Sequence, residues 1–283
     1  MVASSVASKQ KRWFFGLLLF TSFFLVTGCL TNQNETELVL YTTTSVYDSG
    51  LLDCLLKDFK RARVKMVAVG TGEALRNAEL GNADLVFVHA PDLEAAYIKK
   101  GVIEKRAPIA INYFLIAGPE EDPAKVADAK NITEALSRIY KTRTPFISRG
   151  DGSGTHLKEL SLWKKAGINP QDNPNYVQSG QGMAETLRLA SEKRAYTLTD
   201  PATFVVTKGI GLRAFSFNDR EMLNVYSVAL VSSKLIGKKR YSLANELFTY
   251  LTSKEALKKI ESFSRKLKSA DGIFVFNPVA GEI

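Results

Sequence analysis

Short apolar runs alternate with amphipathic stretches through most of this chain, and that alternation limits the fold more than any other feature. Residues 38–41 (LVLY), 64–69 (VKMVAV) and 84–88 (DLVFV) read as strands. The first, short and wholly apolar, suits a strand buried in a parallel sheet. Between them Leu51, Leu52, Leu55, Leu56 and Phe59 recur at the spacing of one helix face. Ser45-x-x-Asp48 fits a capping box that would start this helix. Residues 73–80 form a second helix stopped by Gly81, and 92–100 a third stopped by Gly101. Strand and helix in this order predict an α/β fold with a parallel sheet.

A second set follows. Residues 112–118 (NYFLIAG) read as a longer strand, and Pro119, Asp122 and Pro123 then break the chain. A helix is expected over 132–140, a strand over 145–148, a glycine-rich turn, and a helix over 155–166. Late in the chain, 224–232 (NVYSVALVS) is another long β-rich run, followed by helices over 242–252 and 254–265. Two long strands, one central and one late, predict two crossings between lobes. The first lobe would be discontinuous, 38–116 plus 226–283, with 117–225 inserted as the second.

The amino terminus stands outside this pattern. Lys9, Lys11 and Arg12 precede the uncharged run 13–27. That run is shorter than the roughly 20 apolar residues that span a bilayer. It reads as an export signal. It ends Leu25-Val26-Thr27-Gly28-Cys29, which resembles the lipobox of bacterial lipoproteins, with Thr27 where Ala or Ser is commoner. The expected parts are a signal peptide over 1–28, a lipidated Cys29, and a polar tether over 29–37. The protein would then be exported and held on a membrane, facing the periplasm or cell exterior. The formal charge of +9 falls to +6 once the three basic residues of the signal are removed. With two cysteines and two histidines in all, neither a disulfide framework nor a Cys/His metal cluster is available. Cys54 is expected as a small buried residue. No basic patch is interleaved with aromatics, so nucleic acid is not an expected partner.

Two segments carry the chemistry. Thr42-Thr43-Thr44-Ser45 and residues 148–156 (SRGDGSGTH) each lie between a strand and a helix start, one in each half. Helix N-termini offer unpaired N–H groups and partial positive charge, and so stabilise an anion. Glycines allow close backbone approach, hydroxyls add rotatable donors, and Arg149 adds a charge-assisted fork. Gly70-Thr71-Gly72 is a third donor set. Catalytic readings fit poorly. Ser153 is flanked directly by Gly152 and Gly154, not centred in Gly-x-Ser-x-Gly. No phosphate-binding loop of the Gly-x-x-x-x-Gly-Lys type is present. His156 is expected to be exposed in a first helical turn. The chain is not expected to be an enzyme or to carry a cofactor.

Residues 42–53 (TTTSVYDSGLLD), 67–75 (VAVGTGEAL), 82–92 (NADLVFVHAPD), 145–168 (PFISRGDGSGTHLKELSLWKKAGI), 180–200 (GQGMAETLRLASEKRAYTLTD) and 224–231 (NVYSVALV) resemble, in the same order, the tungstate-binding components of Tup-type ABC transporters. The resemblance implies a type II periplasmic-binding-protein fold: two α/β lobes, two crossing strands, and an oxyanion in the cleft. It implies a permease and an ATPase as partners, with tungstate, or molybdate, as cargo. It assigns Thr44 and Ser45 as donors from the first lobe, and Arg149, Ser153, Gly154 and Thr155 from the second. Thr71 is a further candidate, and Arg188 and Thr199 either touch the ligand or brace the site. Two positions depart from the family: Pro201 stands where Arg is common after Thr-Asp, and Gly152 where a second Asp is common.

Phosphate-binding proteins resemble the same glycine-rich stretch, so phosphate, or sulfate, is the alternative ligand. Near pH 7 phosphate keeps a proton and needs an acceptor. His89 occupies the position where that family has an aspartate. It is either a pocket residue or a core residue satisfied by backbone. A donor-only pocket favours a proton-free dianion, while Asp151 would be the acceptor for phosphate.

Overall fold

The computed structural model describes residues 37–267 and 275–279. The expected signal, Cys29 and all of the expected tether but Glu37 lie outside the described residues. In chain order the strands are β1 (Glu37–Thr43), β2 (Arg63–Val69), β3 (Leu85–Val88), β4 (Ile103–Tyr113), β5 (Leu115–Pro119), β6 (Phe146–Ser148), β7 (Tyr176–Gln178), β8 (Thr197–Thr199), β9 (Leu212–Ser216), β10 (Leu223–Val231) and β11 (Asn277–Pro278). The largest sheet has the order β11-β4-β10-β3-β1-β2. A second sheet is β8-β5-β9, and β6 pairs with β7.

The sheet is mixed rather than parallel throughout. β1 runs parallel to β2 and β3, whereas β10 is antiparallel to both β3 and β4. The late strand β10 therefore lies between β3 and β4. The chain leaves the large sheet after β4 and rejoins it at β10. Where it leaves, the Phe114 N–H donates to the Met222 carbonyl (2.7 Å) and ties the two crossings together. This is the α/β, type II periplasmic-binding-protein architecture. β3 is buried at all four positions, as its unbroken apolar sequence requires. Burying each such side chain is worth roughly 1.5–3 kcal/mol.

One hydrophobic cluster, with Leu40, Leu55, Val86, Val228 and Ile260 among its members, packs on the large sheet. The intervening chain builds two others. Ile116, Leu136, Phe146 and Trp163 belong to one, and Leu115, Ile147, Leu187 and Leu212 to the other.

The strand expected over 112–118 is divided between β4 and β5 at Phe114, and most of β4 lies outside any expected strand. Most of β4 has no clear strand signature, because Glu104, Lys105 and Arg106 face outward or half outward and Pro108 interrupts the run. Pro108 sits at a bulge opposite Ser227, where the register shifts. A residue without an N–H is tolerated there. The helix expected from Ser45 is two helices, Thr44–Ser49 and Leu51–Leu56, split by Gly50 at φ 76°. Ser45 lies inside the first helix, so no capping box forms. Thr43 takes the cap position and makes no side-chain cap bond. Cys54 is half-buried rather than buried.

Candidate functional site

The segment 149–153 can turn as tightly as it does because Gly150 and Gly152 both take positive φ, 63° and 69°. Side chains with a Cβ rarely adopt this region, though Asp and Asn tolerate it. No atom lies within 4 Å of a Cβ added at Gly152, so there is room for the family's Asp, and the glycine adopts this φ without the strain a side chain would carry. Pro201 is the first residue of the helix Pro201–Val206, capped by Asp200. Proline suits that position.

Four helix starts converge. They belong to Thr44–Ser49, Thr71–Glu79, Gly154–Lys165 and Met183–Glu192. A Cβ on Gly154 would stand 3.2 Å from Thr71 Oγ1 and 3.1 Å from His89 Cε1. One on Gly70 would stand 3.9 Å from Ser153 Cα, and one on Gly182 would stand 3.9 Å from Thr44 Oγ1. Three of these starts, after Thr43, Gly70 and Gly182, have no side-chain cap. Their first N–H groups are left to a ligand or solvent. The fourth is capped by Ser153 Oγ, which accepts from the His156 N–H (3.3 Å). That leaves the Ser153 O–H able to donate outward.

Buried side-chain polar atoms without a partner are rare in native proteins, and each calls for a cause. Seven occur among the described residues, and four of them are Thr44 Oγ1, Thr71 Oγ1, Arg149 Nε and Thr155 Oγ1. All four are predicted site residues. Of the rest, Asp84 Oδ1 has Arg240 Nε at 2.9 Å and is in fact paired. Ser45 is buried beside them, its hydroxyl 3.2 Å from Thr43 Oγ1. Thr199 and Arg188 are not among these donors. The Thr199 hydroxyl donates to the Asp200 carbonyl (3.3 Å), and Arg188 is half exposed, facing Glu185 at 3.8 Å.

The buried Arg149 is held by Asp151, whose carboxylate accepts from Arg149 Nη2. The other Asp151 oxygen accepts from the Ser153 N–H (3.1 Å). Both oxygens are therefore engaged within the loop. Asp200 is buried nearby. Burial pushes its pKa up, against the Thr203 N–H and hydroxyl and the Arg149 charge, which pull it down.

His89 is a buried residue satisfied by side chains, not by backbone. Asn112 Nδ2 donates to the Val275 carbonyl (2.9 Å), so Asn112 Oδ1 accepts from Asn224 Nδ2 (3.0 Å). Asn224 Oδ1 is then left to accept from His89 Nδ1 at 3.0 Å. This relay fixes the neutral tautomer with the proton on Nδ1. Burial, then the Arg149 charge, push the His89 pKa down to about 4. A neutral imidazole thus packs on Gly154. Behind it lies a cavity of about 240 Å³ bounded by Phe114, Lys158 and Asp92. His156 is half-buried rather than exposed, and its Nδ1 accepts from the Gly152 N–H (2.9 Å).

The start at Met183 and the His89 relay escape sequence reading. Gly180-Gln181-Gly182 was the available signal for the first. The second joins residues more than 100 positions apart.

Residues 30–264 match the PBP superfamily domain. A tungstate-binding protein of Peptoclostridium acidaminophilum is 39% identical over 223 residues, covering 73% of this chain and 78% of the relative. One from Campylobacter jejuni is 38% identical over 227 residues, covering 77% and 84%. The crystal structure of the tungstate ABC transporter protein from Geobacter sulfurreducens superposes with a TM-score of 0.72 at 43% identity, covering 80% of this chain and 98% of that one. By sequence and by fold the chain belongs to the PBP superfamily and, within it, to the family of tungstate-binding components of ABC transporters.

Proposed function

We propose that this protein is the extracytoplasmic substrate-binding component of an ABC transporter and captures tungstate, or molybdate, for uptake. The observation that carries the reading is the set of buried, unpartnered donors on Thr44, Thr71, Arg149 and Thr155. Ser45, Ser153 and Gly154 complete the proposed shell. Nothing catalytic is required of it. The relatives named above are tungstate-binding and ABC-transporter proteins by name, and a permease with its ATPase are the partners this reading implies for the present chain.

The lobes are taken as 38–116 plus 226–283, and 117–225. Each supplies part of the shell, so the anion has its full donor set only when they meet. It then draws the equilibrium toward the closed form by its differential affinity. Export on the signal 1–28 and lipidation of Cys29 would tether the protein at a membrane. Among the described residues no helix is long and apolar enough to cross one.

Phosphate is disfavoured because its proton needs an acceptor, and the position where phosphate-binding proteins carry an aspartate holds His89, whose Nδ1 proton is directed to Asn224, while each Asp151 oxygen already takes one bond within the loop. Sulfate satisfies the same donors and differs in size. A thermal-shift series with tungstate, molybdate, sulfate and phosphate tests the reading. A ligand at a thousand times its Kd stabilises by about 4 kcal/mol. For a chain of this length that is roughly 8–16 °C in Tm. Tungstate should give such a shift; a response to phosphate alone would refute the assignment.

Thr71→Val provides a second test. The Thr71 hydroxyl is buried without a partner, so removing it should leave the ligand-free Tm unchanged or higher. Losing one hydrogen bond to an anion should weaken tungstate binding about tenfold or somewhat more. A variant that is less stable and binds normally would place Thr71 in the core rather than the site.

A further inference from the structure

Glu159 is buried one turn and a half into the helix Gly154–Lys165. Its Oε2 accepts from Ser148 Oγ (2.6 Å), and its Oε1 accepts from Trp163 Nε1 (3.1 Å) and Tyr176 OH (2.8 Å). Ser148 is the last residue of β6 and immediately precedes Arg149. Glu159 stands on the helix that begins with Gly154 and Thr155. The carboxylate therefore reaches from one end of the segment 149–153 back to the other. Arg149 leaves one end, and the hydroxyl and N–H donors of 153–155 leave the other. The Ser148–Glu159 bond ties those two ends together through side chains. Trp163 and Tyr176 hold the carboxylate from behind, their rings 6.5 Å apart, and Phe146 packs against both, 5.2 Å from Trp163 and 6.0 Å from Tyr176.

A buried carboxylate is costly unless its oxygens are satisfied. Burial pushes the Glu159 pKa up to about 7, against the hydrogen bonds from Ser148, Tyr176 and Trp163. An apolar residue would fill this space more cheaply. What an apolar residue lacks is the tie to Ser148.

We propose that Glu159 is a positioning residue, a clasp that fixes the separation between Arg149 and the helix start so that both reach one anion. The inference rests on the oxyanion reading for its purpose, but the clasp itself is testable without ligand.

Three variants separate the clasp from simple packing. Ser148→Ala removes one hydroxyl and breaks the tie. Glu159→Leu removes it together with the carboxylate. Glu159→Gln preserves it: the Gln oxygen accepts from Trp163 and Tyr176, while its NH2 donates to Ser148 Oγ, which turns to accept. Hydrogen exchange of ligand-free protein should show the amides of 149–153 exchanging about tenfold faster in Ser148→Ala and Glu159→Leu. Elsewhere they should match wild type. Calorimetry with tungstate should show a Kd about tenfold higher in the same two variants. Glu159→Gln should stay near wild type in both measurements. If Glu159→Leu does not fold, Ser148→Ala carries the test alone. Wild-type exchange of 149–153 in Ser148→Ala, or Glu159→Gln as impaired as Ser148→Ala, would overturn the clasp. Wild-type protein that ignores tungstate would refute the oxyanion reading, and the ligand-free exchange would still decide the clasp.

Discussion

Arg149→Ala should weaken tungstate binding by about 10²- to 10³-fold, measured by calorimetry. Two effects add. The guanidinium is the full positive charge of the proposed shell, buried, with Nε directed to no protein acceptor. Truncating one partner of a buried charge pair costs about 3–5 kcal/mol, and each 1.4 kcal/mol is tenfold in Kd. Asp151 supplies the second effect. Its carboxylate now neutralises Arg149. Without that partner it becomes a negative charge beside an incoming dianion. Arg149→Ala/Asp151→Asn should therefore bind more tightly than Arg149→Ala alone, although it carries more substitutions. Arg149→Lys should recover little, since an ammonium cannot occupy both Asp151 and the anion with the same fork. Wild-type affinity in Arg149→Ala would remove the arginine from the site. No gain from the Asp151 change would locate the whole loss in the guanidinium.

The candidate site was readable where its buried, unpartnered polar atoms belong to local segments. Thr44 follows β1 and begins a helix, Arg149 follows β6, Thr155 lies in the first turn of the helix from Gly154, and glycines mark the turn between the last two. Such signals need only a few neighbouring residues. The order of β1, β2 and β3 was readable for the same reason: each is an apolar run with a helix behind it. What depends on distant partners was not readable. Thr43, two residues before Ser45, takes the cap, and Gly50 divides the expected helix into two short ones. β4 is a strand because β10 and β11 pair with it, while its own sequence carries charges and a proline. The tautomer of His89 follows from Asn224, Asn112 and the Val275 carbonyl. No window of the sequence contains them together. The same limit applies to Asp151. Its residue type suggested an acceptor for phosphate, and only the fold shows its two oxygens turned back to Arg149 and to the Ser153 N–H.

Gly154→Ala should weaken tungstate binding by about 5- to 150-fold while leaving the ligand-free protein as stable as wild type. The expectation rests on where the glycine sits. Its φ is not positive, and it is the first residue of a helix, where alanine is intrinsically favoured over glycine. Nothing local opposes the change. The opposition comes from across the site. The new methyl would stand 3.1 Å from His89 Cε1, 3.2 Å from Thr71 Oγ1 and 3.3 Å from His89 Nδ1. The His89 ring cannot swing aside, since Nδ1 is bonded to Asn224 and the ring packs 4.9 Å from Tyr226. The loop must then withdraw by a few tenths of an ångström. Overpacking of this kind costs about 1–3 kcal/mol, which gives the stated range of Kd. In an open form the loop is withdrawn already, so the cost falls on the bound state alone. Small-angle scattering should accordingly show that more tungstate is needed to compact the variant than the wild type. His89→Ala in the same background removes the obstacle, and the double variant should close at lower tungstate than Gly154→Ala. If Gly154→Ala binds and compacts like wild type, the two loops need not meet around the anion, and the closing mechanism fails even if Arg149 proves essential.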